Sequence, residues 1–316
     1  VATTTLGRTF LDELADKGPS NLLLSGDAVE KLALTQPETL LQLKQAIESE
    51  RVSVIGGEFS ELNLPLLPPE AILAQFARGL DSYHRHLASR PKIYCRRRFG
   101  LSPMLPQILA KLGFDGAFHF TLDDGRFPHG NQSKIRWEGL GGASIDALVR
   151  LPIDAASSPN FMSLPEKLGD VMDLDHASTA VFAHWPGGAQ QSYHDLRRMG
   201  EYSPVLGRFT SVGAYFRDTQ YVGQSSRHKA DQYRSPYLRQ EVSAGEPEPI
   251  SRWVRYYRQR TSLDAANTIR TLADLVSGQG PATEGDDEVA RQIDHGTADG
   301  SIGPVDLDDQ LDRYRT

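Results

Sequence analysis

The sequence predicts an α/β fold built on a parallel sheet, open or closed into a barrel. Two observations carry this. Short apolar runs of strand length alternate with amphipathic stretches of helix length along most of the chain, the pattern of repeated strand–helix units. The 316 residues are 39% hydrophobic and 24% charged, ordinary globular usage and enough chain for a sizeable core.

The elements follow in order. "NLLLS" (21–25) is a short apolar run ending at polar residues, as in a buried strand. "PETLLQLKQAIESE" (37–50) opens on Pro and sets Leu40, Leu43 and Ile47 on one helix face. "RVSVIGGEF" (51–59) is a β-rich run broken by two glycines. "PPEAILAQFARGLDSYHRHL" (68–87) starts at Pro-Pro and aligns Ile72, Phe76, Leu80, Tyr83 and Leu87, a helix. "PKIYC" (91–95) is a strand, "PMLPQILAKLG" (103–113) a helix with a Gly stop, and "GAFHF" (116–120) a strand. "SKIRWEGLGGASIDALVRL" (133–151) predicts two strands around a Gly-rich turn. "STAVFAHW" (178–185) is a strand followed by the helix "AQQSYHDLRRMGEY", and residues 250–276 form a long helix or helix pair. Three segments result: a domain over 1–249, a helical segment over 250–276, and a Gly- and Asp-rich linker or insertion over 277–316.

Charge and cysteine content narrow the function. A net charge of −7 argues against nucleic acid as a partner. No apolar run approaches the ~18 residues of a membrane span, which argues against a membrane partner. The single cysteine, Cys95, cannot form an internal disulfide, and no zinc-finger spacing exists. The chain opens in mid-pattern without an initiator Met, so it reads as an excerpt, with other domains of the parent chain as its partners.

In a parallel α/β fold, ligands sit at the carboxyl ends of the strands. Polar residues follow several strands directly: Glu58 and Glu61, the run Arg96–Arg98, Asp123 and Asp124, and His184 with Trp185. Carboxylates beside aromatic platforms suit a sugar, so carbohydrate is the expected partner. The same residues have plainer readings. Gly56-Gly57 and Asp123-Asp124-Gly125 are common turn compositions, and Glu58 and Glu61 could be solvated. "MDLDHAS" (172–178) carries Asp173, Asp175 and His176, a ligand-like set that is also normal at turns and helix starts. Strand alternation would turn Arg96 and Arg98 outward and Arg97 inward.

Three blocks, in order, resemble the catalytic domain of family-38 glycoside hydrolases, the α-mannosidases. "VIGGEFSELNLPLLPPEAILAQFARG" matches in Gly56-Gly57, Phe59, Glu61, Glu70, Gln75 and Gly79. "FGLSPMLPQILAKLGF" (99–114) is similar to the family's Phe-Gly-x-Ser turn and the helix after it. "RWEGLGGASIDAL" (136–148) is similar to its Trp-Glu-Gly turn, with Gly141 where the family has Asp. The resemblance implies a distorted parallel β/α barrel, seven-stranded as in the glycoside hydrolase 38/57 and polysaccharide deacetylase superfamily, with zinc and a retaining glycosidase mechanism. Arg97 stands where the family has its nucleophile, which is also a zinc ligand. A guanidinium has five donors and no acceptor and can be neither. Cofactor and metal ligands are therefore left open. The reading is a family-38-like glycosidase with Glu58, Glu61, Asp123 and Asp124 supplying acid and base. Arg97, Trp137, His184 and Trp185 would bind substrate, with Arg97 facing an anionic sugar. The alternative is a catalytically inactive carbohydrate-binding or scaffold domain.

Overall fold

The computed structural model describes residues 7–15, 18–119, 125, 127–128, 134–175, 179–203, 205, 207–219, 225–278 and 284–298. Of Asp173 and Asp175 it describes the backbone alone, and His176 lies outside the described residues. The chain divides into two compact units, residues 1–65 with 72–235 and residues 66–71 with 236–316.

The first unit alternates strands and helices as the hydrophobic pattern predicts. Its order begins α1 (Gly7–Ala15), β1 (Ser20–Leu23), α2 (Gly26–Thr35), α3 (Pro37–Glu48), β2 (Val52–Ile55) and α4 (Pro69–Leu87, whose first turn belongs to the second unit). It continues β3 (Ile93–Arg96), α5 (Leu105–Lys111), β4 (Gly116–His119), β5 (Lys134–Glu138), β6 (Ser144–Val149) and β7 (Ile153–Asp154). It ends α6 (Ser158–Phe161), α7 (Leu164–Asp175), β8 (Phe182–Ala183), α8 (Gln191–Tyr202), α9 (Val212–Asp218) and β9 (Ser225–Arg227). β1 pairs with β2 in parallel, and the single bridge Gly56–Tyr94 carries the parallel order on to β3. β3, β4 and β6 run parallel, and β7 pairs with β8 in parallel. β5 returns antiparallel to β6 through the Gly-rich turn expected at 139–143, where Gly141 and Gly142 take φ of 71° and 76°. The described strands thus form three sheets, not one closed ring.

Two apolar clusters hold this unit. Phe10 and Leu14 of α1, Val29 and Leu32 of α2, Leu43 of α3 and Tyr83 of α4 pack over Val52 and Val54. Ile55, Ile93, Cys95, Phe118 and Leu148, from four neighbouring parallel strands, pack with Phe216 of α9. All four residues of β3 and all four of β4 are buried, as expected of parallel strands covered on both faces.

The second unit is helical: α10 (Tyr237–Ser243), α11 (Pro249–Ser277) and α12 (Glu284–Ala298). α11 ends at Gly278, whose φ of 71° is the left-handed conformation glycine adopts at low cost. The linker expected over 277–316 is corrected within 284–298, which is helix. Val289 and Ile293, four apart, bury one stripe, and Asp294 accepts hydrogen bonds from Tyr256 (2.9 Å) and the buried Arg260 (3.1 Å) of α11. Among the described residues no helix is long and apolar enough to cross a membrane.

Candidate functional site

The carboxyl edge of β2 is shaped by glycine. Gly56 and Gly57 have φ of 148° and 145°, which side chains with a Cβ rarely adopt. A Cβ on Gly57 would stand 2.8 Å from the Phe114 ring. The Tyr83 hydroxyl donates to the Leu24 carbonyl and accepts from the Gly57 amide at 3.3 Å, tying the ends of β1 and β2. The next residues are pinned by α4. Phe59 N–H donates to the Gln75 carbonyl (2.9 Å) and Ser60 N–H to the Gln75 side-chain oxygen (3.2 Å). Gly79 lets the helix come close: a Cβ there would lie 2.6 Å from the Glu58 carbonyl carbon and 2.7 Å from the Phe59 nitrogen. The turn carrying Glu58 and Glu61 is therefore rigid.

Glu58 turns inward. It is 4% exposed, and the Arg96 side chain, 3% exposed, donates to both its carboxylate oxygens at 3.0 Å. Tyr94 O–H donates at 2.7 Å, and the far Arg96 nitrogen donates to the Leu62 carbonyl at 2.6 Å. Burial pushes the Glu58 carboxyl up to about 7, although Arg96 and Tyr94 pull the other way. Glu58 holds Arg96 firmly in its charged form. Gly100 supplies the room, since a Cβ there would overlap the Arg96 guanidinium. His119 is the β4 partner of Arg96, stacks on Phe127 (5.0 Å between centroids), and is buried with Nε2 unpaired. Burial first, and Arg96 second, lower it to about 3, so it is neutral.

A second group lies further out. Glu61 Oε1 accepts from the Arg97 backbone N–H (3.0 Å) and from Arg97 Nε (3.3 Å), while its Oε2 is buried and unpaired. The half-exposed Arg97 guanidinium stands 5.8 Å from the centre of the Trp185 ring, and Trp185 is 56% exposed. His184 Nδ1 lies 2.8 Å from the Trp185 carbonyl oxygen and 3.7 Å from Glu13 Oε1. Glu13 Oε2 accepts from Gly187 N–H at 3.0 Å, so α1 clamps the turn that presents the indole.

The structure therefore sorts the sequence-predicted residues. Glu61, Arg97 and Trp185 come together, with His184 beside Trp185. Glu58 is corrected: a carboxylate sealed in an ion pair is positioned to hold Arg96, not to reach a substrate. Trp137 is corrected too. It is fully buried, and its indole N–H donates to the Tyr233 hydroxyl at 2.8 Å, a core role in place of a sugar platform. The alternation expected for the arginines is corrected in the same region: Arg96 is buried, Arg97 half-buried and Arg98 exposed. Asp123 and Asp124 lie outside the described residues. Sequence reasoning missed Glu13, Tyr94 and His119. Tyr94 and His119 had a signal, each being the next-to-last residue of a predicted strand, and Glu13 had none.

The model of the glycosyl hydrolases family 38 N-terminal domain matches residues 30–198, more than half of the chain. The chain belongs to this family. Among solved structures, an α-mannosidase from Enterococcus faecalis V583 is similar at 13% identity and a TM-score of 0.64, over 97% of this chain and 37% of that one. A 4-α-glucanotransferase from Thermococcus litoralis is similar at 16% identity and 0.54, over 92% and 50%. A GH57 branching enzyme from Thermococcus kodakaraensis is similar at 15% identity and 0.51, over 92% and 68%. These identities show a shared fold. The chain spans half or less of the length of the first two. No curated protein matches it.

The family-38 resemblance implies zinc, and the described residues do not fit it. Where the resemblance would place the family's metal-binding nucleophile, Arg97 presents donors alone, with its backbone N–H and Nε directed to Glu61. The adjacent Arg96 is a second, buried cation, and like charges in such a site repel strongly. No group of three or more His, Cys, Asp or Glu side chains suited to a metal occurs among the described residues.

Proposed function

We propose that this family-38 domain recognises carbohydrate at the carboxyl edge of its strands, through Trp185 and Arg97, and that the sugar carries a carboxylate or sulfate. The observation that carries this reading is the exposed indole beside a half-exposed guanidinium, on a turn held by Glu13. The indole offers an apolar face to a sugar ring, and a planar guanidinium matches an anion with two oxygens. Glu61 is the described carboxylate best placed for proton transfer, since its Oε2 has no partner in the protein. Asp123 or Asp124 would be the second group of a hydrolytic pair. The strands are taken to close into the seven-stranded barrel of the superfamily, and the rest of a longer parent chain to complete the protein.

A second reading, binding without turnover, is favoured by Arg97 at the nucleophile's place and by the sealing of Glu58. One panel tests both: aryl α-mannosides beside uronate-containing and sulfated glycans, scored for hydrolysis and for binding by calorimetry. Acidic glycans should bind, and Arg97→Ala should weaken them by roughly 10- to 100-fold while leaving neutral glycans unchanged, as for loss of a charge-assisted hydrogen bond. Equal affinity of the wild type for acidic and neutral glycans would remove the anionic assignment.

A further inference from the structure

We infer that this site works without a metal and that the buried Arg96 guanidinium, clamped by Glu58 and Tyr94, is its resident cation. The inference rests on the family assignment but not on which glycan binds. Extending the parallel register of the Gly56–Tyr94 bridge by two residues sets Glu58 opposite Arg96, and the β3–β4 register sets His119 on its other side. A carboxylate, a guanidinium and a neutral imidazole thus form one row along the carboxyl edge. The Arg96 charge is fixed by three side-chain donations at 3.0, 3.0 and 2.6 Å, and its Nε remains buried and unpaired. A guanidinium is a cation that needs no coordination sphere and keeps its charge at any working pH. Glu58, the carboxylate nearest that row, already gives both oxygens to Arg96, and Glu61 Oε1 is given to Arg97. Among the described residues of this group, Glu61 Oε2 and His119 Nε2 are the atoms able to ligate that are left unpartnered, too few for a dication's ligand set, and each belongs to a side chain beside an arginine whose charge repels a metal.

The inference has two measurable consequences. The purified full chain, incubated with excess zinc and dialysed, should retain well under one zinc by elemental analysis. Its melting temperature should be the same with zinc and with a chelator. Arg96→Met should lower that temperature sharply, and if it fails to fold, zinc content and chelator insensitivity of the wild type decide alone. One zinc per chain that survives dialysis, raises the melting temperature and is lost in Glu61→Gln would overturn the inference. Zinc retained equally by Glu61→Gln would break the expected zinc content and overturn it as well. Failure of every glycan to bind would refute the proposed function and leave this inference intact.

Discussion

The buried pair Glu58–Arg96 makes a prediction whose size follows from its geometry. Both side chains are almost wholly inaccessible and meet at 3.0 Å through two hydrogen bonds. Breaking such a pair from one side leaves a buried charge uncompensated, at a cost of about 3–5 kcal/mol. Arg96→Met should lose about that much in urea unfolding at pH 8, where Glu58 is ionised, whereas Glu58→Gln, which mimics the neutral carboxyl the fold favours, should lose far less. The double variant should lose less than the sum by at least ~2 kcal/mol, because the second change removes the charge stranded by the first. The pair also fixes a pH dependence. The folded Glu58 carboxyl is raised from 4.5 to about 7, so between those values the folded state holds a proton that the unfolded state has released. This contribution is complete below pH 4.5 and is lost as pH rises through 7, a change of roughly 3 kcal/mol. Stability measured from pH 5 to 8 should therefore fall with pH in the wild type, and the fall should shrink in Glu58→Gln. Strictly additive single variants, or a pH slope untouched by Glu58→Gln, would refute the coupling and the raised carboxyl together.

Three further outcomes are expected. Gly79→Ala should destabilise by about 2 kcal/mol or more in spite of alanine's better helix propensity, because the new methyl group meets backbone atoms that cannot rotate away; chemical denaturation measures it. Trp185→Ala should weaken glycan binding by up to roughly ten-fold with an unchanged melting temperature, since the indole is exposed; calorimetry and a thermal melt separate the two effects. Asp294→Ala should cost about 2 kcal/mol by removing the α12 acceptor of Tyr256 and Arg260, with Arg260 keeping its ion pair with Asp264, readable as loss of amide protection in α12.

The legible parts of the fold were those decided by local pattern. α3 and α4 could be read because Pro starts and apolar residues at helical spacing coincide, and Ile72, Phe76, Leu80, Tyr83 and Leu87 are all buried. The β5–β6 hairpin could be read because glycines separate two β-rich runs. What escaped depends on distant partners. Trp137 resembles a platform in sequence, and only Tyr233, 96 residues away, reveals that its N–H is satisfied in the core. α12 was hidden by Gly and Asp around a stripe of two apolar residues whose buried acid answers Arg260 in another helix. Glu13 acts through a turn 174 residues away. The blocks that carried the family resemblance are largely scaffold: Gly57, Gln75 and Gly79 shape the turn, and Gly100 makes room for Arg96.

The arginine run shows why alternation alone cannot assign a site. Alternation states which residues share a face, and not which face can bear a charge. β3 is buried on both faces, so its last residue needs a partner on either side. Tyr94 and Arg96 share one face, and there the chain beyond β2 carries Glu58, which pairs with Arg96. The parity that would have turned Arg96 outward is overruled by a carboxylate 38 residues earlier in the chain. β3 ends at Arg96, so Arg97 lies beyond the pleat, and its direction is set by Glu61 taking both its backbone and side-chain donors. The two guanidiniums consequently differ in kind. Arg96 has its two terminal nitrogens taken up within the protein by Glu58 and the Leu62 carbonyl, whereas Arg97 shares one carboxylate oxygen and keeps an open edge beside Trp185. It is on the open edge of Arg97, and not on the number of arginines, that the proposed preference for an anion rests.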